Sequence, residues 1–301
     1  MGRRQPLRDA SRGLSLLLAC WCVACQAVQD PRIIAAVPAI TGSIAKSGAD
    51  VAVAFRTLDG RTEWLLRADE SFHAASTLKV AVLIELYHQV RQGRVRLDEA
   101  LPVRNEFHSL VDGSPYVLNP DDDSETELYQ VIGVTRTVER LSELMITVSS
   151  NLATNILMDR LGVDSIRAGV HALGADGMDV RRDLEDTKAF RQGLNNTTTA
   201  RALLQLMGAI ARGRAVDKAS SRRMIEVLER QTFNDGIPVG LPPGTRVAHK
   251  TGEITRIQHD AAIVFAPRPF VLVILTRGLD DAAQASALIA TITRELYRAT
   301  Q

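Results

Sequence analysis

The sequence predicts an α/β (α+β) fold, in which one mixed, antiparallel sheet is built from both ends of the chain and flanked by helices, around a central all-helical subdomain. Short apolar runs separated by turn residues open the body of the chain, further such runs lie near its end, and the stretch between them repeats its apolar residues at helical spacing. The 301 residues are 46% hydrophobic and 24% charged, which is ordinary globular composition and enough chain to bury a core.

In chain order, residues 50–57 and 62–67 read as two strands joined at Asp59-Gly60, a hairpin signal. Residues 76–90 are apolar on nearly every side, as a helix buried inside a domain must be, and Gly93 is placed to stop it. Residues 112–127 are rich in Gly, Pro and Asp and read as a loop. Within it Asp121, Asp122, Asp123 and Glu125 lack the alternating ligands and central Gly of a calcium loop, so a solvated acidic segment is expected. Helices follow at 138–148, where Leu141, Leu144, Met145 and Val148 share a face, and at 152–161, 165–173, 198–211 and 220–230. Residues 246–250, 261–265 and 270–276 are strand-like, the last two joined by the tight Ala266-Pro267-Arg268-Pro269 turn. Ala285, Leu288, Ile289, Ile292 and Leu296 mark a closing helix.

The first 27 residues differ from the rest. Arg3, Arg4, Arg8 and Arg12 precede an uncharged apolar run over 14–24, the pattern of a signal peptide, and that run is too short to span a bilayer. Cleavage after Ala27 is expected, although the residues before Cys20 and Cys25 resemble lipid-attachment boxes. All three cysteines lie in this leader, so the body is expected to be exported, periplasmic or secreted, without disulfides. The leader holds four Arg and one Asp, so a chain of net charge +1 leaves a body of net charge −2, without the basic surplus of a nucleic-acid binder. One domain is expected over 28–301, with a sheet lobe from about 32–75 and 240–301 and a helical lobe from about 76–235.

With 31 Arg and only 5 Lys, each lysine invites a chemical question, because Lys can give up its proton where its surroundings demand it and Arg in practice cannot. Lys79 follows Ser76 by three residues at the start of the buried helix, which puts both on one face. A serine hydroxyl needs a neighbouring base to become a nucleophile, and a helix N-terminus offers N–H groups to an oxyanion. Ser43 and Lys46 share the same spacing, but they sit in a short polar segment before the first strand, so Ser76 is the expected nucleophile. No Gly-x-Ser-x-Gly elbow, zinc motif, phosphate-cradling glycine motif or dinucleotide fingerprint is present, and the six His are scattered singly.

Two more elements follow in order, Ser149-Ser150-Asn151 at the join of two helices and Lys250-Thr251-Gly252 at a strand end. Together the three resemble the signature of class A β-lactamases and other penicillin-recognising serine hydrolases, and the resemblance runs from about residue 32 to 299. It extends to Asn155 and to the Thr197-Thr198-Thr199 run before a helix. It implies a β-lactamase-like fold in which Ser76 forms an acyl-enzyme, Lys79 takes or relays its proton, and Ser149 protonates the departing nitrogen. It further implies that Asn151 ties the site together, that Lys250 and Thr251 bind the substrate carboxylate, and that the N–H groups of Ser76 and Glu253 make the oxyanion hole. Glu185 is the implied base for hydrolysis of the ester.

Three positions depart from the family pattern. Ala189 stands where an Asn usually helps hold the water, with Asn195 and Asn196 the nearest amides. Ser150 replaces the usual acid of Ser-Asp-Asn, which is expected to loosen the loop. No certain Arg partners the substrate carboxylate, Arg256 being the first candidate and Arg277 the second. The fate of the acyl-enzyme separates three readings: a β-lactamase that releases it, a peptidoglycan DD-peptidase or related hydrolase that keeps it, and a sensor domain that acylates once. A monomer acting on a small β-lactam or peptidoglycan-like substrate, with no cofactor, is expected.

Overall fold

A computed structural model describes residues 1, 2 and 30–301, and the rest of the expected leader, with Cys20 and Cys25, lies outside the described residues. The sheet has five strands, β1 (Asp50–Thr57), β2 (Glu63–Leu66), β3 (Arg246–Ile254), β4 (Ile257–Phe265) and β5 (Phe270–Arg277). Their spatial order is β2-β1-β5-β4-β3, and every pairing is antiparallel. Two hairpin strands from the start of the chain thus complete a sheet whose other three come from its end.

Both faces of this sheet are covered, which explains the near-continuous apolar runs in β1 and β5. Val51, Val53 and Phe55 point with Phe270, Leu272 and Ile274 to one face, where Phe55 and Phe270 stack at 5.1 Å. Ala52 and Ala54 point with Val271, Val273 and Leu275 to the other, since successive strand residues alternate. The first face is covered by α1 (Pro31–Ser47) and the last helix, α9 (Ala282–Thr300), which pack on each other. The second is covered by the helical part of the chain. Each aliphatic side chain fully buried between these layers contributes roughly 1.5–3 kcal/mol.

Helix α1 corrects the reading of Ser43 and Lys46 as part of a short polar segment before the first strand. Asp30 caps it through the Arg32 N–H at 3.0 Å, Pro31 sits at its first turn, and Gly48 ends it in the left-handed region. Ser43 and Lys46 therefore share a helix face as truly as Ser76 and Lys79 do. What separates the pairs is place: Lys46 is exposed and its helix lies with α9, on the side of the sheet away from the helical lobe.

The helices of the middle region are α2 (Lys79–Arg91), α3 (Val138–Thr147), α4 (Asn151–Leu161), α5 (Val163–Ala172), α6 (Thr187–Arg191), α7 (Ala200–Ala211) and α8 (Lys218–Leu228). α7 lies directly on the sheet against β1, β4 and β5, and α2 is enclosed by its neighbours, with ten of its residues buried. The helix expected from residue 76 begins as a 3-10 turn, Ala75–Leu78, before α2 proper. No helix among the described residues is long and apolar enough to cross a membrane.

Candidate active site

Strand β3 lies at the sheet edge and passes close to the Ala75–Leu78 turn. Gly252 makes that approach possible, because a Cβ there would come within 3.0 Å of the backbone nitrogens of Ser76 and Thr77. The Thr251 N–H donates sideways, off the sheet, to Gln231 Oε1 at 3.0 Å. Strand alternation then turns the Glu253 N–H to the same free edge, beside Ser76.

Four of the five described non-glycine residues with positive φ flank this region: Ala75 (φ 44), Ser149 (φ 58), Glu185 (φ 62) and Arg256 (φ 61). Such backbone strain persists only where the surroundings enforce it, and it concentrates at functional sites. Ser76, Ser149, Thr251, Glu253 and Arg256 all line one cleft of about 640 Å³, with Phe233 on its wall.

Two fully buried lysines meet behind the cleft at one hydroxyl. Lys79 Nζ lies 3.1 Å from Ser149 Oγ, 2.6 Å from the Ser149 carbonyl and 2.8 Å from Asn151 Oδ1. Lys250 Nζ lies 3.1 Å from the same Ser149 Oγ, 3.1 Å from Gln231 Oε1 and 2.9 Å from the Thr251 carbonyl. Burial pushes the Lys79 ammonium down to about 7, against the opposing pull of Asp123 and Glu185. Burial, and then the charge on Lys79, push Lys250 well below the usual lysine range.

Glu185 reaches the same network, since Asn151 Nδ2 donates to its Oε1 at 2.9 Å. Burial raises its carboxyl above the usual range, against that hydrogen bond. The loop carrying it is clamped by Asn155, which donates to the Leu184 carbonyl at 3.0 Å and accepts from the Leu184 N–H at 2.8 Å. Asn195 and Asn196 bond instead to Arg182 and to the backbone of Arg181 and Arg182, and Ala189 is buried inside α6.

Some expectations change here. Arg256 borders the cleft, but its guanidinium is held by Asp280 at 2.9 Å and donates to the Gly278 carbonyl. Arg277 is drawn away to Asp50 and Glu70 and stacks 4.5 Å from the Phe72 ring, and it does not line the cleft. Asp123 is no solvated acid: it is 8% exposed and accepts from the Asn151, Leu152 and Tyr129 donors. Gln231 is a residue that sequence reasoning missed, a single amide oxygen holding Lys250 and both donors of Thr251. No local pattern marks it, because its partners lie about twenty residues further along the chain.

The fold and the cleft together define a class A β-lactamase type of protein, a penicillin-recognising serine hydrolase. Residues 35–300 match the model of the beta-lactamase enzyme family, and the chain belongs to that family. It is 29% identical to a beta-lactamase of Streptomyces albus G over 83% of this chain and 80% of that protein. Among solved structures it resembles a beta-lactamase from Sphaerobacter thermophilus, with 25% identity, 91% of this chain and 98% of that one covered, and a TM-score of 0.74. It also resembles a single-site mutant of PBP-A, solved as an acyl-enzyme complex with penicillin G, with 27% identity, coverage of 90% and 98%, and a TM-score of 0.77.

Proposed function

We propose that this protein is an exported serine β-lactamase that opens the lactam amide through an ester on Ser76. Neutral Lys79 accepts the Ser76 proton as Oγ attacks the lactam carbonyl, and the N–H groups of Ser76 and Glu253 hold the oxyanion. The proton reaches the lactam nitrogen through the Ser149 hydroxyl as the ring C–N bond breaks. Thr251 and Lys250 draw the substrate carboxylate to the β3 edge, without help from Arg256, whose charge is neutralised by Asp280. Glu185 then takes a proton from water, whose oxygen attacks the ester carbonyl; the bond between the acyl carbon and Ser76 Oγ breaks, the proton passes back from Glu185 through Lys79 to Oγ, and a ring-opened acid is released.

The observation that carries this reading is the single Ser149 hydroxyl held between two desolvated lysines on the wall of the cleft that Ser76 also lines. The Arg-rich start followed by an apolar run supports export. One observation favours a slower, peptidase-like enzyme: position 189 offers no amide to steady a water beside Glu185.

The purified protein is expected to turn over a chromogenic cephalosporin, and Ser76→Ala to abolish that turnover. Intact-protein mass spectrometry after mixing with penicillin separates the two readings. A transient adduct on the wild type and a lasting one on Glu185→Gln support the β-lactamase, whereas a lasting adduct on the wild type makes the protein a penicillin-binding peptidase.

A further inference from the structure

The turn that presents Ser149 and Asn151 is held by an acid from another part of the chain. The amide nitrogens of Asn151 and Leu152 open α4, and both donate to Asp123, at 2.9–3.0 Å and 2.9 Å. The Tyr129 hydroxyl donates to the same carboxylate at 2.9 Å, and the Glu125 N–H closes its near side at 3.2 Å. Burial and Asp123 itself push the Tyr129 phenol up, so it stays a donor at all ordinary pH values. Two helix-end amides, a phenol and a loop amide thus converge on one carboxylate, and the helix N-terminus adds its own attraction for negative charge.

The place where the family pattern puts an acid, position 150, holds Ser150. Ser150 is wholly buried and caps α4 through the Ala153 N–H at 3.2 Å, and its hydroxyl faces Asp123 at 3.5 Å. The loss of an acid there does not leave the turn short of a carboxylate. It transfers the work to a segment 27 residues upstream.

We infer that Asp123 is the positioning acid of the active site, fixing the Ser149–Asn151 turn against Lys79 in place of the acid missing at position 150. This rests on the acyl-enzyme reading above, because it matters only if Ser149 and Asn151 must face the nucleophile. The groups that face Asp123 are Tyr129, Ser150 and the α4 amides, and its charge is also felt by Lys79 from α2 and by Glu185 from its loop. Removing the charge should therefore do more than loosen a helix end: Glu185 would ionise at lower pH, shifting the acid limb of ester hydrolysis downward.

The test compares Asp123→Asn, Ser150→Asp and the double variant. Ser76 acylation by penicillin is followed by rapid-quench mass spectrometry, and amide exchange at residues 151 and 152 is followed in protein without substrate. Asp123→Asn is expected to slow acylation on the order of 100-fold, as small misplacements of reacting groups do, with rapid exchange at both amides. Ser150→Asp by itself crowds a second carboxylate onto the same donors and also slows acylation. In the Asp123→Asn background the same change restores most of the rate, protects the amides again and returns the acid limb toward its wild-type position.

That reversal of sign is what a purely structural cap would not show. Wild-type acylation in Asp123→Asn, or an equal effect of Ser150→Asp in both backgrounds, overturns the inference. If Asp123→Asn does not fold, a double variant that folds and acylates supports it and one that does not overturns it. Should even the wild type form no adduct, the acyl-enzyme reading fails, and the exchange pattern at 151 and 152 still decides the role of Asp123.

Discussion

Lys79 makes three short contacts as a donor, which suits an ammonium, yet a base must be neutral. Burial resolves this by bringing its ionisation to about 7, so both forms are present at neutral pH. The acylation rate of Ser76 is expected to rise as pH increases through about 7, since the neutral amine is the active form. Lys79→Arg keeps the charge and cannot lose it, and acylation should fall on the order of 10²–10⁴-fold with no rising limb near neutrality. Stopped-flow bursts with a chromogenic substrate between pH 5 and 9, a range of about two units on either side, check both. A variant that retained the limb would remove Lys79 from the role of base.

At the scale of elements, the site is made where ends meet: a 3-10 turn, the start of α4, the edge of β3 and the loop before α6. The loop needs an outside clamp, because Glu185 lies in the left-handed region, and Asn155 supplies one from the buried face of α4. Asn155→Ala removes two hydrogen bonds and leaves the Leu184 N–H and C=O without them, an expected loss of about 2 kcal/mol in stability. Because both side-chain hydrogen bonds of Asn155 go to the loop that carries Glu185, deacylation should slow far more than acylation. Denaturant melts and the lifetime of the mass-shifted adduct measure the two effects separately, and an unchanged lifetime would show that Glu185 holds its place without the clamp.

At the scale of the whole molecule, His259 joins the sheet to His73, in the segment that leads into the Ser76 turn. It lies on β4, fully buried, accepts from the Thr276 N–H at 3.1 Å and sits 2.9 Å from the His73 carbonyl. Burial lowers its ionisation to about 4 from an ordinary 6.5, so the unfolded chain takes up a proton before the folded one does. Its contribution to stability is complete above about pH 6.5 and is lost as pH falls toward 4, about 3 kcal/mol in all. Chemical melts across that window should show the slope, and His259→Asn should flatten it. An equal slope in the variant would place the acid sensitivity elsewhere.

The chemistry proposed at Ser76 could be read from the sequence because it depends on short spacings. Lys79 follows Ser76 by three positions, and Ser149-Ser150-Asn151 and Lys250-Thr251-Gly252 are contiguous, so local backbone geometry already fixes their relative positions. The strand runs at both ends were legible too, because a sheet buried on both faces demands unbroken apolar residues. Helix α1 was hidden, since only Ile33 and Ile40 are buried on it and Pro38 interrupts its pattern. Asp123 and Gln231 could not be read at all, because an acid or an amide in a polar segment looks the same whether it faces water or a buried donor. Only the tertiary fold, by bringing chain segments about 20 and more residues apart within hydrogen-bonding distance and excluding water from between them, made Asp123 a holder of Asn151 and Gln231 a holder of Lys250.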